Sequence, residues 1–191
     1  MELKSYLGDK KLKTKFVAEI KKHLKADAVE QGHYGKENGH WKGCAVACSV
    51  RSMCAIKGEK LQTINGDHKR YEIDLGIPEW LARLEDTIFE GLPVEESKKW
   101  VLDFAQAVPI GKNLESIKWK FCAFILKENI NRVLTLEIDD DLKKQVVDAI
   151  RGVLNVHEEA IKEGVWNESA AESAAYIKYA KELLKLLKNC K

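Results

Sequence analysis

Apolar residues recur at helical spacing along almost the whole chain, and glycine or proline closes most of the runs. That alternation constrains the fold more than any other feature. Over 11–30, Phe16, Val17, Ile20, Leu24 and Ala28 fall near one face of a 3.6-residue period. This predicts an amphipathic helix stopped by Gly32. Small and apolar residues over 44–56 predict a second helix, ended by Gly58. Asn65-Gly66-Asp67 reads as a turn and cap, 68–74 as a short helix, and Gly76 as its close. Pro78 then opens the next helix, at a position where its missing N–H costs nothing. That helix, 79–90, turns Trp80, Leu81, Leu84, Ile88 and Phe89 inward before Gly91 and Pro93.

The same period continues. Over 95–108 it aligns Trp100, Val101, Phe104 and Val108, and over 114–128 it brings Ile117, Phe121, Cys122, Phe124 and Ile125 to the core. Residues 132–138 alternate as a strand does, but a lone strand has no partner, so they read as a connection or helix end. Asp139-Asp140-Asp141 caps a long helix reaching 163, and Asn167 caps a last one over 167–189. In that last helix the doubled Glu-Ser-Ala-Ala of 168–175 makes a smooth alanine stripe, which suits close helix packing within one chain or between two copies. The expectation is an all-α, single-domain bundle of about eight helices over residues 1–191.

Composition excludes several classes. Hydrophobic residues are 45% of the 191 and charged residues 32%, which suits a globular core and not a membrane protein. No apolar run approaches the roughly 18 residues of a membrane span. The start, Met1-Glu2-Leu3-Lys4-Ser5, has no signal-peptide core. The 32 basic and 30 acidic residues leave a net charge of +2, so nothing argues for a nucleic-acid backbone as partner. The five cysteines are odd in number and unlike a disulfide framework, which points to a reducing cytoplasm.

Residues 32–43 form the most distinctive loop. Four glycines, His33, Tyr34, Lys36, His40, Trp41 and Lys42 run directly into Cys44 and a helix start. Glycines free the backbone to wrap N–H groups round an oxyanion, and a helix N-terminus adds unpaired donors. Lys36 and Lys42 add charge, and Tyr34 or Trp41 could stack on a base. The spacing matches neither the phosphate loop nor the dinucleotide fingerprint. A surface loop whose aromatics tuck into the core stays open beside the ligand reading.

Two further constellations carry chemistry. His40, Cys44 and Cys48 step by four, with His33 nearby, but zinc sites bring paired cysteines closer together on a turn, and a second pair is missing. Buried thiols are the better reading, so no metal or cofactor is assigned. His68 with Glu72 and Asp86 with Glu90 are each four apart. If their helices faced each other, four polar groups would converge for acid–base or metal chemistry. Ordinary surface pairs and helix-start contacts are the alternative, and Asp67 and Glu72 suit the latter.

Several segments together resemble a family of proteins of unassigned function common in phages and bacterial mobile elements. They are Ala26-Asp27 with Gly32 and Tyr34, Gly43 to Cys48, His68 with Tyr71-Glu72, Leu75-Gly76-Ile77-Pro78, Leu81 to Asp86, Ile88 to Pro93 and the Ser-Ala-Ala repeats. The departure is Ala47, where the family favours glycine. The resemblance implies an accessory protein, of the anti-defence kind among others, acting in the host-cell cytoplasm by binding.

The functional expectation is therefore a protein that holds an anionic, nucleotide-type small molecule. Its site would comprise Tyr34, Lys36, Trp41, Lys42, Gly43, Cys44, His68 and Glu72. The alternatives are a protein–protein inhibitor of a host factor, and a metal- or acid/base-dependent enzyme using His68, Glu72, Asp86 and Glu90. No motif names a reaction, and binding is preferred to catalysis.

Overall fold

The computed structural model describes residues 2–34, 36, 37, 40–60 and 67–163. Among them lie seven α-helices: α1 (Lys10–Lys25), α2 (Ala45–Lys57), α3 (Lys69–Leu75), α4 (Glu79–Gly91), α5 (Val94–Ala107), α6 (Glu115–Leu134) and α7 (Asp140–Glu163). The class is all-α, as the period predicts. The helix expected over 167–189, with its alanine stripe, lies outside the described residues. The backbone groups into two compact units, divided between Leu114 and Glu115. No helix among the described residues is long and apolar enough to cross a membrane.

In the first unit α2 is the central helix. Nine of its 13 residues are buried, from Ala45 to Cys54. Such small side chains let α1 and α4 pack closely on it. Phe16 and Ile20 of α1, Leu75 of α3, Phe89 of α4 and Val101 of α5 complete the core. Each large apolar side chain so buried contributes roughly 1.5–3 kcal/mol.

The termini of these helices follow local chemistry. Asp9 caps α1, its carboxylate accepting from the Lys11 N–H at 2.7 Å. α1 ends five residues earlier than its apolar period predicts. Asp27 adopts a left-handed φ of 48°, and Ala28 to Glu30 leave the helix to bond Gly43 instead. The Gly43 N–H donates to the Ala28 carbonyl at 2.8 Å, and its own carbonyl accepts from Glu30 at 2.9 Å. The glycine-rich loop also contains a two-stranded antiparallel hairpin, β1 (Lys36–Glu37) with β2 (Trp41–Lys42). Strands of two residues leave no period to read, so pattern analysis passes over them.

Before α1 the chain makes a left-handed turn at Tyr6, Leu7 and Gly8, with φ of 50°, 51° and 74°. Such backbone costs a non-glycine residue roughly 1 kcal/mol or more. Burial of Tyr6 offsets it: the ring is fully enclosed, and its hydroxyl donates to the Ala105 carbonyl. Ser5 is stitched to the segment after α5, donating N–H to Lys112 at 2.9 Å and accepting from Gly111 at 2.7 Å.

In the second unit α6 and α7 form a hairpin around Ala123, Ile130, Val147 and Leu154. Asp139 caps α7 as expected, accepting from the Leu142 N–H at 3.0 Å. Residues 132–138 are a helix end and connection, since α6 runs on to Leu134. The inward face of α6 is not the expected one. Phe124 is 56% and Ile125 40% exposed, while Ala123 and Ile130 are buried. Small Ala123 lets α7 approach, and the bulky neighbours rotate outward.

Candidate functional site

All the candidate site residues lie in the first unit, and the structure gathers some and separates others. His68 precedes α3, and Asp86 and Glu90 lie one turn apart on α4. The His68 Nε2 and an Asp86 carboxylate oxygen are 3.3 Å apart, both side chains nearly buried. Cys44, the fully buried residue before α2, joins them. Its Sγ and one oxygen each of Asp86 and Glu90 lie within 4.8 Å of one another. The Asp86 Oδ1 is buried and has no hydrogen-bond partner. The Gly32 N–H holds Glu90 at 2.9 Å. The loop is clamped there by Gln31, whose amide donates to the carbonyls of Phe89 at 2.7 Å and Leu92 at 2.9 Å. Tyr34 is half exposed, and the fields of Asp86, Cys44 and Glu90 all act to raise its phenol pKa.

Glu72 is not with this group. Its Oε1 accepts the Glu79 N–H at 2.9 Å, at the start of α4. A carboxylate there satisfies an unpaired helix donor, which is the helix-start role its sequence position allows. Trp41 is half-buried between His23, 5.3 Å away centre to centre, and the Arg51 guanidinium, 4.5 Å from the ring centroid. It also covers Gly43, where a Cβ would lie 2.9 Å from the ring and 2.7 Å from the Ala47 Cβ. Gly43 is thus required by close packing, and the Trp41 faces are already engaged. Lys42 pairs with Glu30 at 3.5 Å and stands 4.0 Å from Asp27. The side chain of Lys36 lies outside the described residues.

The thiols divide as well. Cys48 shares a helical face with Cys44 by spacing, yet its Sγ points back to the Gly43 carbonyl at 3.4 Å. His40 is exposed. Burial pushes the Cys44 thiol up to about 12, the α2 amides of Ala47 and Val46 counter this in part, and Asp86 and Glu90 push it further up. A thiol so placed is protonated at neutral pH and is a poor nucleophile.

Beneath the cluster lies a pair that helical spacing already marks. Glu85 is fully buried and accepts from the Tyr71 hydroxyl at 2.6 Å. It sits midway between Leu81 and Phe89 at steps of four, hence on the buried face of α4. The pair ties α3 to α4, the helices that bring His68 to Asp86.

His23 shows a second electrostatic consequence of burial. Burial first, then the Arg51 charge, lowers its imidazole to about 4. The unfolded value is about 6.5, so the neutral ring stabilises the fold above that pH, and the contribution is lost as pH falls through about 4. His23→Gln can keep the bond to the Ser52 hydroxyl, 3.2 Å away, and cannot titrate. The urea midpoint of the variant is expected to fall less steeply than wild type between about pH 6.5 and 4. Equal slopes would remove His23 from the acid response.

No family model, curated protein or solved structure matches this chain.

Proposed function

We propose that the chain is a small-molecule enzyme whose centre is the His68–Asp86 pair, rather than a direct holder of a free anion. One observation carries this reading: the imidazole and carboxylate meet at 3.3 Å beside Cys44 and Glu90. A carboxylate fixes the orientation and tautomer of a histidine and stabilises its charged form, which makes it a competent proton acceptor and donor. Tyr34 is half exposed, and its ring offers a face against which a planar substrate can lie.

Among the described residues, three donors that suited an anion are committed elsewhere. The Gly43 N–H bonds Ala28, the Cys44 N–H bonds the His33 carbonyl at 2.5 Å, and Lys42 serves Glu30. Asp86 and Glu90 make the start of α2 locally negative, which repels an unaccompanied anion. The phage or mobile-element setting rests on sequence resemblance alone.

The test is a turnover screen of the purified protein against phosphate esters, nucleotides, amides and aminated nucleobases. Activity is expected with at least one class, and His68→Gln is expected to lower kcat at least about 100-fold. Turnover indifferent to both His68→Gln and Asp86→Asn would sink the assignment. A wholly inactive protein that captures a stoichiometric host partner would replace it with the inhibitor reading.

A further inference from the structure

Cys44, Asp86 and Glu90 bring one sulfur and two oxygens together from two chain segments: the start of α2 and two successive turns of α4. We propose that they bind a single divalent transition-metal cation of the zinc class. This goes beyond acid–base chemistry at His68, and it stands or falls on the cluster whether or not the protein turns anything over.

Three observations support it independently of the acidic residues as such. The Cys44 side chain is fully buried, and its sulfur lies within 4.8 Å of an oxygen of each carboxylate, the mixed sulfur and oxygen donor set that a cation of this class takes. The Asp86 Oδ1 is buried without a hydrogen-bond partner. An orphaned buried carboxylate oxygen is costly, and a metal bond is one way to satisfy it. Finally, an imidazole holds the Asp86 carboxylate through Oδ2. Metal ligands are commonly oriented by just such outer hydrogen bonds.

The donor set selects the ion. Magnesium and calcium prefer oxygen alone, whereas thiolate with carboxylate suits zinc, cobalt or ferrous iron. A tetrahedral centre with metal–sulfur and metal–oxygen bonds of about 2.3 and 2.0 Å sets its ligands about 3.5 Å apart. The present separations, within 4.8 Å, close to that with a shift of at most about 1.3 Å per pair. Glu90 is exposed and long enough to supply most of it. Binding breaks the Cys44 S–H bond and forms a sulfur–metal bond, the proton leaving to solvent. Three protein ligands leave a fourth position open. A cation there reverses the local charge, so an oxyanion such as a phosphate can enter as the fourth ligand. The nucleotide-type ligand expected from the loop then binds through the metal, not through the loop.

The test uses full-length, metal-stripped protein titrated with Co2+ as an optical stand-in for zinc. One equivalent is expected to bind, with a sulfur-to-cobalt charge-transfer band that Zn2+ abolishes by competition. Cys44→Ser is expected to lose the band. Cys48→Ala is expected to keep it, because that sulfur faces the Gly43 carbonyl. Glu90→Gln, on the protein surface and safe for folding, is expected to weaken Co2+ at least about tenfold, and His68→Gln about 10–100-fold. No charge-transfer band at saturating Co2+, or an undiminished band in Cys44→Ser, overturns the site and leaves a cluster of carboxyl groups only. Metal binding without turnover retains the site and removes the enzyme reading. Turnover without metal binding does the reverse.

Discussion

Gly76→Ala is expected to cost about 3 kcal/mol or more of stability, a large loss for a single methyl group. Gly76 closes α3 with a left-handed φ of 61°, its N–H donating to Glu72 at 3.1 Å. A side chain in that conformation is strained by about 1 kcal/mol. The larger effect is steric. A Cβ would lie 2.1 Å from the Lys4 carbonyl oxygen and 2.9 Å from its carbon. These are backbone atoms, and they lead straight into Ser5 and the left-handed turn that seats Tyr6. Either the N-terminal arm lifts from its site or α3 rotates away. Rotation would lengthen the His68–Asp86 pair, so the variant probes the site as well as the fold. Gly58→Ala is the matched control: it closes α2 at φ 70°, and a Cβ there meets nothing within 4 Å. Its expected cost is about 1 kcal/mol. Urea unfolding of the two variants separates conformational strain from collision. Equal losses would mean that the approach of Lys4 carries no weight.

The same glycine shows what a sequence can and cannot disclose. Gly76 before Pro78 marks the boundary between α3 and α4, and both helices form where the period places them. The Asp139 cap of α7 was equally visible. What the sequence could not disclose is that the backbone of Lys4 lies against Gly76, a contact made by residues 72 positions apart. The left-handed Tyr6 and Leu7 were hidden for the same reason, because tertiary burial and not local preference holds them. Faces were legible on α4, and lost on the short α3 and on the long α6. Asp86 and Glu90, on the long α4, come together in one cluster. His68 lies just before the seven-residue α3, so its step of four to Glu72 does not bring the two side chains together, and Glu72 turns to α4 instead. Cys44 and Cys48 mislead similarly. Their spacing suggests a shared partner, but Cys44 precedes the helix and turns to α4, while Cys48 lies inside it. A helical step reports a shared direction only when both residues are within the helix.

Glu85 leads to the other large effect, on stability as a function of pH. Burial raises its carboxyl to about 8, the Tyr71 hydrogen bond opposing and the Asp86 charge adding to the rise. The unfolded chain ionises the same group near 4.5. Between those values the folded state holds a proton that the unfolded state has released. Stability is therefore fully present below about pH 4.5 and is lost as pH rises through about 8, by on the order of a few kcal/mol. Glu85→Gln removes the titration and retains an acceptor for Tyr71. Its extra buried N–H costs about 1–3 kcal/mol, so the variant starts less stable in acid. It is then expected to hold its stability on the way to about pH 9, where wild type loses ground and the two curves converge or cross. Equilibrium unfolding in urea at several pH values reads this directly. His23 acts on the other limb, losing stability as pH falls from about 6.5 to 4, so the double variant with His23→Gln is expected to be the flattest of all. A wild-type slope preserved in Glu85→Gln would show that the buried carboxyl ionises freely in the fold. The Tyr71 bond joining α3 to α4 would then hold in the charged state too, and the link beneath His68 and Asp86 would not depend on the Glu85 proton.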